Sequence, residues 1–112
     1  MATEPQTIKL CDVESFESGS ITSVEVDGRM IAYARVGDDW YAIDDTCSHG
    51  KASLSEGYLE EDDLQIECPL HGALFSLETG EAMTLPATKP VAKHAVEIVD
   101  GEVFVTITGD DQ

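Results

Sequence analysis

A chain of 112 residues is close to the commonest size for one domain, and its 42% hydrophobic content can fill a core without disulfide staples. The 23 acidic and 6 basic residues give a formal net charge of −17, which makes nucleic acid and anionic membrane poor partners, since both need positive charge. No apolar run approaches the roughly 20 residues of a membrane span, and Met1-Ala2-Thr3-Glu4-Pro5-Gln6 lacks the basic start and apolar stretch of a signal peptide. The expected compartment is therefore the cytoplasm.

The opening strand is predicted over Ile8–Cys11, followed by a polar loop from Asp12 to Ser20. Ile21–Val26 alternates, Asp27-Gly28 is a strong hairpin signal, and Met30–Val36 returns as a strand rich in Ile, Tyr and Val. Gly37-Asp38-Asp39 turns the chain into Trp40–Ile43, so the first forty-odd residues read as an antiparallel meander. Trp40 and Tyr41 are expected at the core and rim of this unit, and Cys11 as a small buried hydrophobe.

From Asp44 to Gly50 the apolar periodicity stops. A brief helical turn is expected over Ala52–Glu56, ended by Gly57, then short strands at Tyr58-Leu59, Leu64–Glu67 and Ala73–Leu77. The acidic run Glu60-Glu61-Asp62-Asp63 reads as a solvated turn tip, and Leu85–Pro90 as a proline-rich loop. Val91–Val99 alternates, with Val91, Lys93, Ala95, Glu97 and Val99 on one face; His94 is expected at the surface. Asp100-Gly101 signals a last hairpin into Val103–Thr108. Many short strands, Asp-Gly turns and no long amphipathic helix indicate an all-β fold, a small antiparallel sandwich or barrel. The expected organisation is one domain over 1–112, a base of 1–43 and 85–108 with an insertion of roughly 44–84.

Two stretches within that insertion carry chemistry: Cys47-Ser48-His49-Gly50 and Cys68-Pro69-Leu70-His71-Gly72. Each supplies one thiol and one imidazole and ends in glycine, which permits tight turns and close backbone approach. An odd count of three cysteines, in a reducing compartment, points to metal rather than disulfides. A closed Cys2His2 zinc site is one possibility, but familiar zinc spacings pair like with like. A two-iron, two-sulfide cluster suits mixed pairs better, because each loop can give sulfur to one iron and nitrogen to the other.

Cys47-x-His49 with Cys68-x-x-His71-Gly72, on a small all-β chain, resembles the Rieske iron–sulfur proteins. The resemblance spans nearly the whole chain and includes the Pro86–Pro90 loop, which in the family lies over the cluster. It implies that Cys47 and Cys68 ligate one iron and that His49 and His71 ligate the other through Nδ1. It further implies one [2Fe-2S] cluster, neutral when oxidised, with a potential near the lower end of the Rieske range, about −150 mV. Lys51 and Leu70 stand near where respiratory members carry bridging cysteines, and Ala73 stands where they carry a sulfide-bonding serine.

What remains is similar to the Rieske-type ferredoxins of bacterial aromatic ring-hydroxylating dioxygenase systems. By that resemblance the chain is an electron carrier and not itself an enzyme. Its partners would be an NAD(P)H-dependent flavin ferredoxin reductase and a terminal oxygenase. The rivals are a small Rieske-like subunit of assimilatory nitrite reductase, a ferredoxin for another kind of oxygenase, and a zinc-stabilised interaction module. The acidic surface reads either as steering towards a basic partner or as solubility and salt adaptation.

Overall fold

Strand β3 (Arg29–Val36) contains Ile31-Ala32-Tyr33-Ala34, all four buried although neighbouring side chains on a strand point to opposite faces. A strand apolar on both faces has to be covered on both. The computed structural model, which describes residues 6–26, 28–46, 52–70, 72–84 and 90–107, places a separate core on each side. Ile31 and Tyr33 join Val26, Ala42 and Val105 in one core; Ala32 and Ala34 join Ile43, Leu54, Ile66, Phe75 and Leu77 in the other.

The remaining strands are β1 (Gln6–Asp12), β2 (Ser20–Val26), β4 (Asp39–Asp44), β5 (Tyr58–Glu60), β6 (Gln65–Glu67), β7 (Leu74–Ser76), β8 (Lys93–Val99) and β9 (Glu102–Ile107). They form a six-stranded antiparallel sheet, order β1-β9-β8-β4-β3-β2, nearly closed as a barrel, and a three-stranded sheet, order β5-β6-β7. Only short 3-10 turns, Val13–Ser15 and Leu54–Glu56, interrupt the β structure of the described residues. The all-β expectation holds, and no helix among these residues is long and apolar enough to cross a membrane.

The meander is formed by β2, β3 and β4 in full register. The opening strand does not belong to it: β1 pairs with β9, Ile8 opposite Val105, so the first and last strands meet. Both residues of Asp100-Gly101 have positive φ, 51° and 78°, which is the twist a two-residue hairpin needs. Cys11 is half-buried rather than buried, packed against the core that contains Ile31, Tyr33 and Val105. Burial, aided by Asp12, pushes its thiol up. Trp40 and Tyr41 lie on opposite faces of β4 and pack against different cores.

His94 is a correction. It is 2% exposed, because on β8 the outward face is Lys93, Ala95, Glu97 and Val99, while His94 points to the side occupied by its cross-strand partner Ala42. Asp44, two residues beyond Ala42 on the same face, accepts a hydrogen bond from His94 Nε2 at 2.8 Å. The same carboxylate accepts two from Arg29, Nε to Oδ1 at 2.9 Å and Nη2 to Oδ2 at 3.0 Å. Burial alone would push the Asp44 carboxyl up; the hydrogen bonds and charges of His94 and Arg29 outweigh it and hold the group below the usual carboxylate range.

Candidate metal centre

The three-stranded sheet occupies the chain between β4 and β8, strands that neighbour each other in the larger sheet. Its β6–β7 hairpin carries the second motif. After the last strand pair, Glu67 opposite Leu74, the Cys68 N–H donates to the Ala73 carbonyl at 2.8 Å, and the Gly72 N–H donates back to the Cys68 carbonyl at 3.0 Å. The backbone thus closes a tight turn with Pro69 and Leu70 exposed at its apex. Gly72 has φ +72° with no described atom near its missing Cβ, so glycine is needed here for conformation.

Cys68 and Ala73, at the two roots of this turn, are each 0% exposed and packed into the same core as Ile66 and Phe75. A thiol at the floor of a turn, with exposed residues above it, suits a ligand held rigidly beneath a solvent-facing tip. Gly57 reinforces the base: a Cβ there would overlap the Glu67 carbonyl oxygen, so the backbone between the 3-10 turn and β5 runs directly against the end of β6.

The first motif begins just after β4. Asp45 is buried; its N–H donates to the Met30 carbonyl at 3.0 Å, and its own carbonyl accepts the Leu54 N–H at 2.7 Å. Its carboxylate Oδ1 accepts the Ser55 N–H at 2.8 Å, capping a 3-10 turn whose N-cap Ser53 makes no side-chain cap bond. Thr46 bridges to Ser53. Both flanks of residues 47–51 are therefore fastened together. The proline-containing loop is fastened similarly: Thr84 Oγ1 accepts the Leu74 N–H at 2.9 Å, and the Val91 N–H donates to the Gly80 carbonyl at 2.8 Å.

Of the four sequence-predicted ligands, Cys68 is placed as described; Cys47, His49 and His71 lie outside the described residues, as do Gly50, Lys51 and Pro86. Among the described residues no three His, Cys, Asp or Glu side chains gather as a metal site. The structure does bring the flanks of all three stretches to one place. Ala52 and Leu54 after the first, Cys68 and Ala73 around the second, and Val91 after the third belong to a single core.

Sequence reasoning missed the fastening residues Asp44, Asp45, Arg29 and His94. Asp44-Asp45 reads only as the point where apolar periodicity ends. His94 had one available signal: it shares its face of the strand with Val96 and Ile98, opposite the charged Lys93 and Glu97. A cleft of about 570 Å³ also opens where β4 and β8 diverge, lined by Trp40, Tyr41, Glu78 and Lys93 among others, apart from the Cys68 turn.

Comparison with known proteins bears on this arrangement. A family model described as the Rieske [2Fe-2S] domain matches residues 6–95. The 3-phenylpropionate/cinnamic acid dioxygenase ferredoxin subunit of Escherichia coli (strain K12) is 45% identical over 100 residues, covering 89% of this chain and 92% of that protein. The ferredoxin of carbazole 1,9a-dioxygenase from Nocardioides aromaticivorans IC177 superposes with a TM-score of 0.88 at 33% identity, over 95% of this chain and all of that one, 100%. A ferredoxin solved in complex with the reduced oxygenase of carbazole 1,9a-dioxygenase gives a TM-score of 0.87 at 41% identity, covering 95% and 97% of the two chains.

Proposed function

The chain belongs to the Rieske [2Fe-2S] family, and from that premise we propose that it is the ferredoxin of an aromatic-ring dioxygenase system, taking single electrons from an NAD(P)H-dependent flavin reductase and passing them to a terminal oxygenase. Its cofactor is a [2Fe-2S] cluster, which sets aside the zinc-held module. It is an electron-transfer component and catalyses no bond chemistry of its own. The reading is carried by 45% identity over 89% of the chain to ferredoxin subunits of a dioxygenase, well above what a shared fold alone entails. It works in the cytoplasm, with the oxygenase as the partner that selects the substrate.

The donor set fits the cofactor: two thiols and two imidazoles supply the mixed ligation that distinguishes Rieske centres. In this reading Cys47 and Cys68 hold one iron and His49 and His71 the other. The buried root of Cys68 and the left-handed Gly72 support it, since together they fix one thiolate beneath an exposed turn. When bound, the cluster takes up and gives back one electron. The chain's own part is to hold the ligands rigid between those two states, through the 68–73 turn, the Asp45 closure and the shared core. In the same reading roughly 44–84 binds the cluster on a base of 1–43 and 85–108.

Reconstitution tests the function. NAD(P)H, the flavin reductase, this protein and the oxygenase together should oxidise an aromatic substrate, and omitting this protein should abolish product. Undiminished product without it would contradict the assignment. The −17 charge is read as steering, so association with the oxygenase should slow as salt rises, since charges are screened beyond about 8 Å already at physiological salt. A rate flat or rising with salt would leave salt adaptation as the meaning of the charge.

A further inference from the structure

We propose that the outer face of the three-stranded sheet beside the Cys68 turn, formed by Tyr58, Glu67, Leu74 and Met83 with Leu70 on the turn itself, is the surface on which the terminal oxygenase seats. The inference rests on the electron-carrier reading above and gives it a location beyond the histidine-bearing stretches.

Register defines the face. Leu59 pairs with Ile66, Ile66 with Phe75, and Phe75 bridges to Ala82. That row points into the core, with Ile66 and Phe75 fully buried. One residue along, Tyr58 pairs with Glu67 and Glu67 with Leu74, whose carbonyl accepts the Met83 N–H at 2.7 Å. Because side chains alternate along a strand, this second row points out. Tyr58 is 65% exposed and Met83 49%, with Glu67 and Leu74 half-buried between them, and Leu70 at the turn apex is 70% exposed. The other large apolar side chains exposed among the described residues, Met30, Ile98 and Val99, lie on the larger sheet.

Position makes the row a contact surface. Glu67 immediately precedes Cys68 and Leu74 immediately follows Ala73, so this is the last rung of the sheet before the ligand turn. Electron transfer falls steeply with distance, so a partner that receives an electron at the turn has to cover the adjoining rung. Composition points the same way. Tyrosine and methionine are enriched at interface cores, whereas a glutamate among them is depleted there unless a counter-charge meets it. The oxygenase surface that fits is an apolar socket for Tyr58 and Met83 with an arginine or lysine opposite Glu67. Electron-transfer encounters bury little area, less than about 1,200 Å², so two exposed side chains are a large share of the contact.

Tyr58→Ser and Met83→Ser, singly and combined, test this on the cluster-loaded protein, with Tyr58→Phe as the conservative control. Visible absorption, midpoint potential and oxidation by ferricyanide, a small ion that needs no docking surface, should match the parent. In turnover with its terminal oxygenase, the double variant should raise the KM for ferredoxin tenfold or more with kcat little changed. Tyr58→Phe should restore most of the loss from Tyr58→Ser. An unchanged KM overturns the proposal. So does a KM that moves together with the midpoint potential, because the residues would then be acting on the cluster rather than on docking. A parent protein that ferricyanide oxidises but the oxygenase does not would instead sink the electron-carrier assignment for this system, a result distinct from either.

Discussion

In the six-stranded sheet β3 buries both of its faces, whereas in the three-stranded sheet one row of side chains faces the core and the next faces outward, with Tyr58 and Met83 exposed and Glu67 and Leu74 half-buried. The larger sheet has two cores and joins the first strand to the last, so its contacts are long-range and mutually supporting. The smaller sheet hangs on one row, Leu59, Ile66, Phe75 and Ala82, and spends its other face on the surroundings of a ligand turn. The difference separates two tasks. The large sheet supplies stability, and the small one holds Cys68 rigid while staying accessible. Between them Asp44 and Asp45 connect the end of β4 to β3, β8 and the 3-10 turn.

Cys68→Ser should break the small sheet's function while sparing the large sheet. Loss of one thiolate should abolish cluster assembly, seen as loss of visible absorption and iron content, with the β-rich far-ultraviolet circular dichroism of the apoprotein retained. A variant that kept a full iron complement would show that Cys68 is not a ligand.

Phe75→Ala removes the largest side chain in the single buried row, and should cost about 3–5 kcal/mol by the usual scale for such truncations. Cys68 and Phe75 share a core, so denaturant titration of the loaded protein should show cluster loss and unfolding in one transition. A cost below about 1 kcal/mol would mean the small sheet does not rely on that row.

Asp44→Ala tests the connection between the regions. The carboxylate is about one-fifth exposed, at 21%, so its pair lies between surface bridges of about 0–1 kcal/mol and buried ones whose rupture costs about 3–5; a loss of roughly 2 kcal/mol is expected. The pH dependence has a definite sign. The folded carboxyl sits below its ordinary value of 3.8, so its contribution is complete above that value and is lost as pH falls from there through the lower value of the folded state. Acid denaturation of Asp44→Asn should lack this component. If parent and variant showed identical acid profiles, the Arg29–Asp44–His94 contact would carry no such linkage.

Gly72→Ala is the mildest change. A left-handed backbone conformation costs a non-glycine residue roughly 1–2 kcal/mol, and among the described residues no atom lies within 4 Å of a Cβ placed there. The cluster should assemble, and the loss should appear in thermal denaturation alone.

The parts of this molecule that could be read in the chain are those whose cause is local. Asp27-Gly28 and Asp100-Gly101 specify hairpins by backbone preference, and the β2–β4 meander follows from them. The Cys-x-His and Cys-x-x-His stretches announce their chemistry without any fold, because thiols and imidazoles in mixed pairs have few other uses. What could not be read depends on distant partners. The alternation of β1 says that it is a strand but not that it seeks β9. His94 was expected at the surface because a histidine beside a lysine gives no hint of an aspartate fifty residues earlier, 50 in separation, that satisfies it when buried. Tyr58 and Met83 are ordinary core residues by type, and only the register of β5, β6 and β7 turns them outward.

Pulsed EPR on the dithionite-reduced protein, with isotopic labelling of histidine nitrogen, tests mixed ligation most directly. Two histidine nitrogens strongly coupled to the cluster spin are expected, one lost in His49→Cys and the other in His71→Cys in whichever variants assemble. A cluster with no strongly coupled histidine nitrogen would contradict the account at its centre.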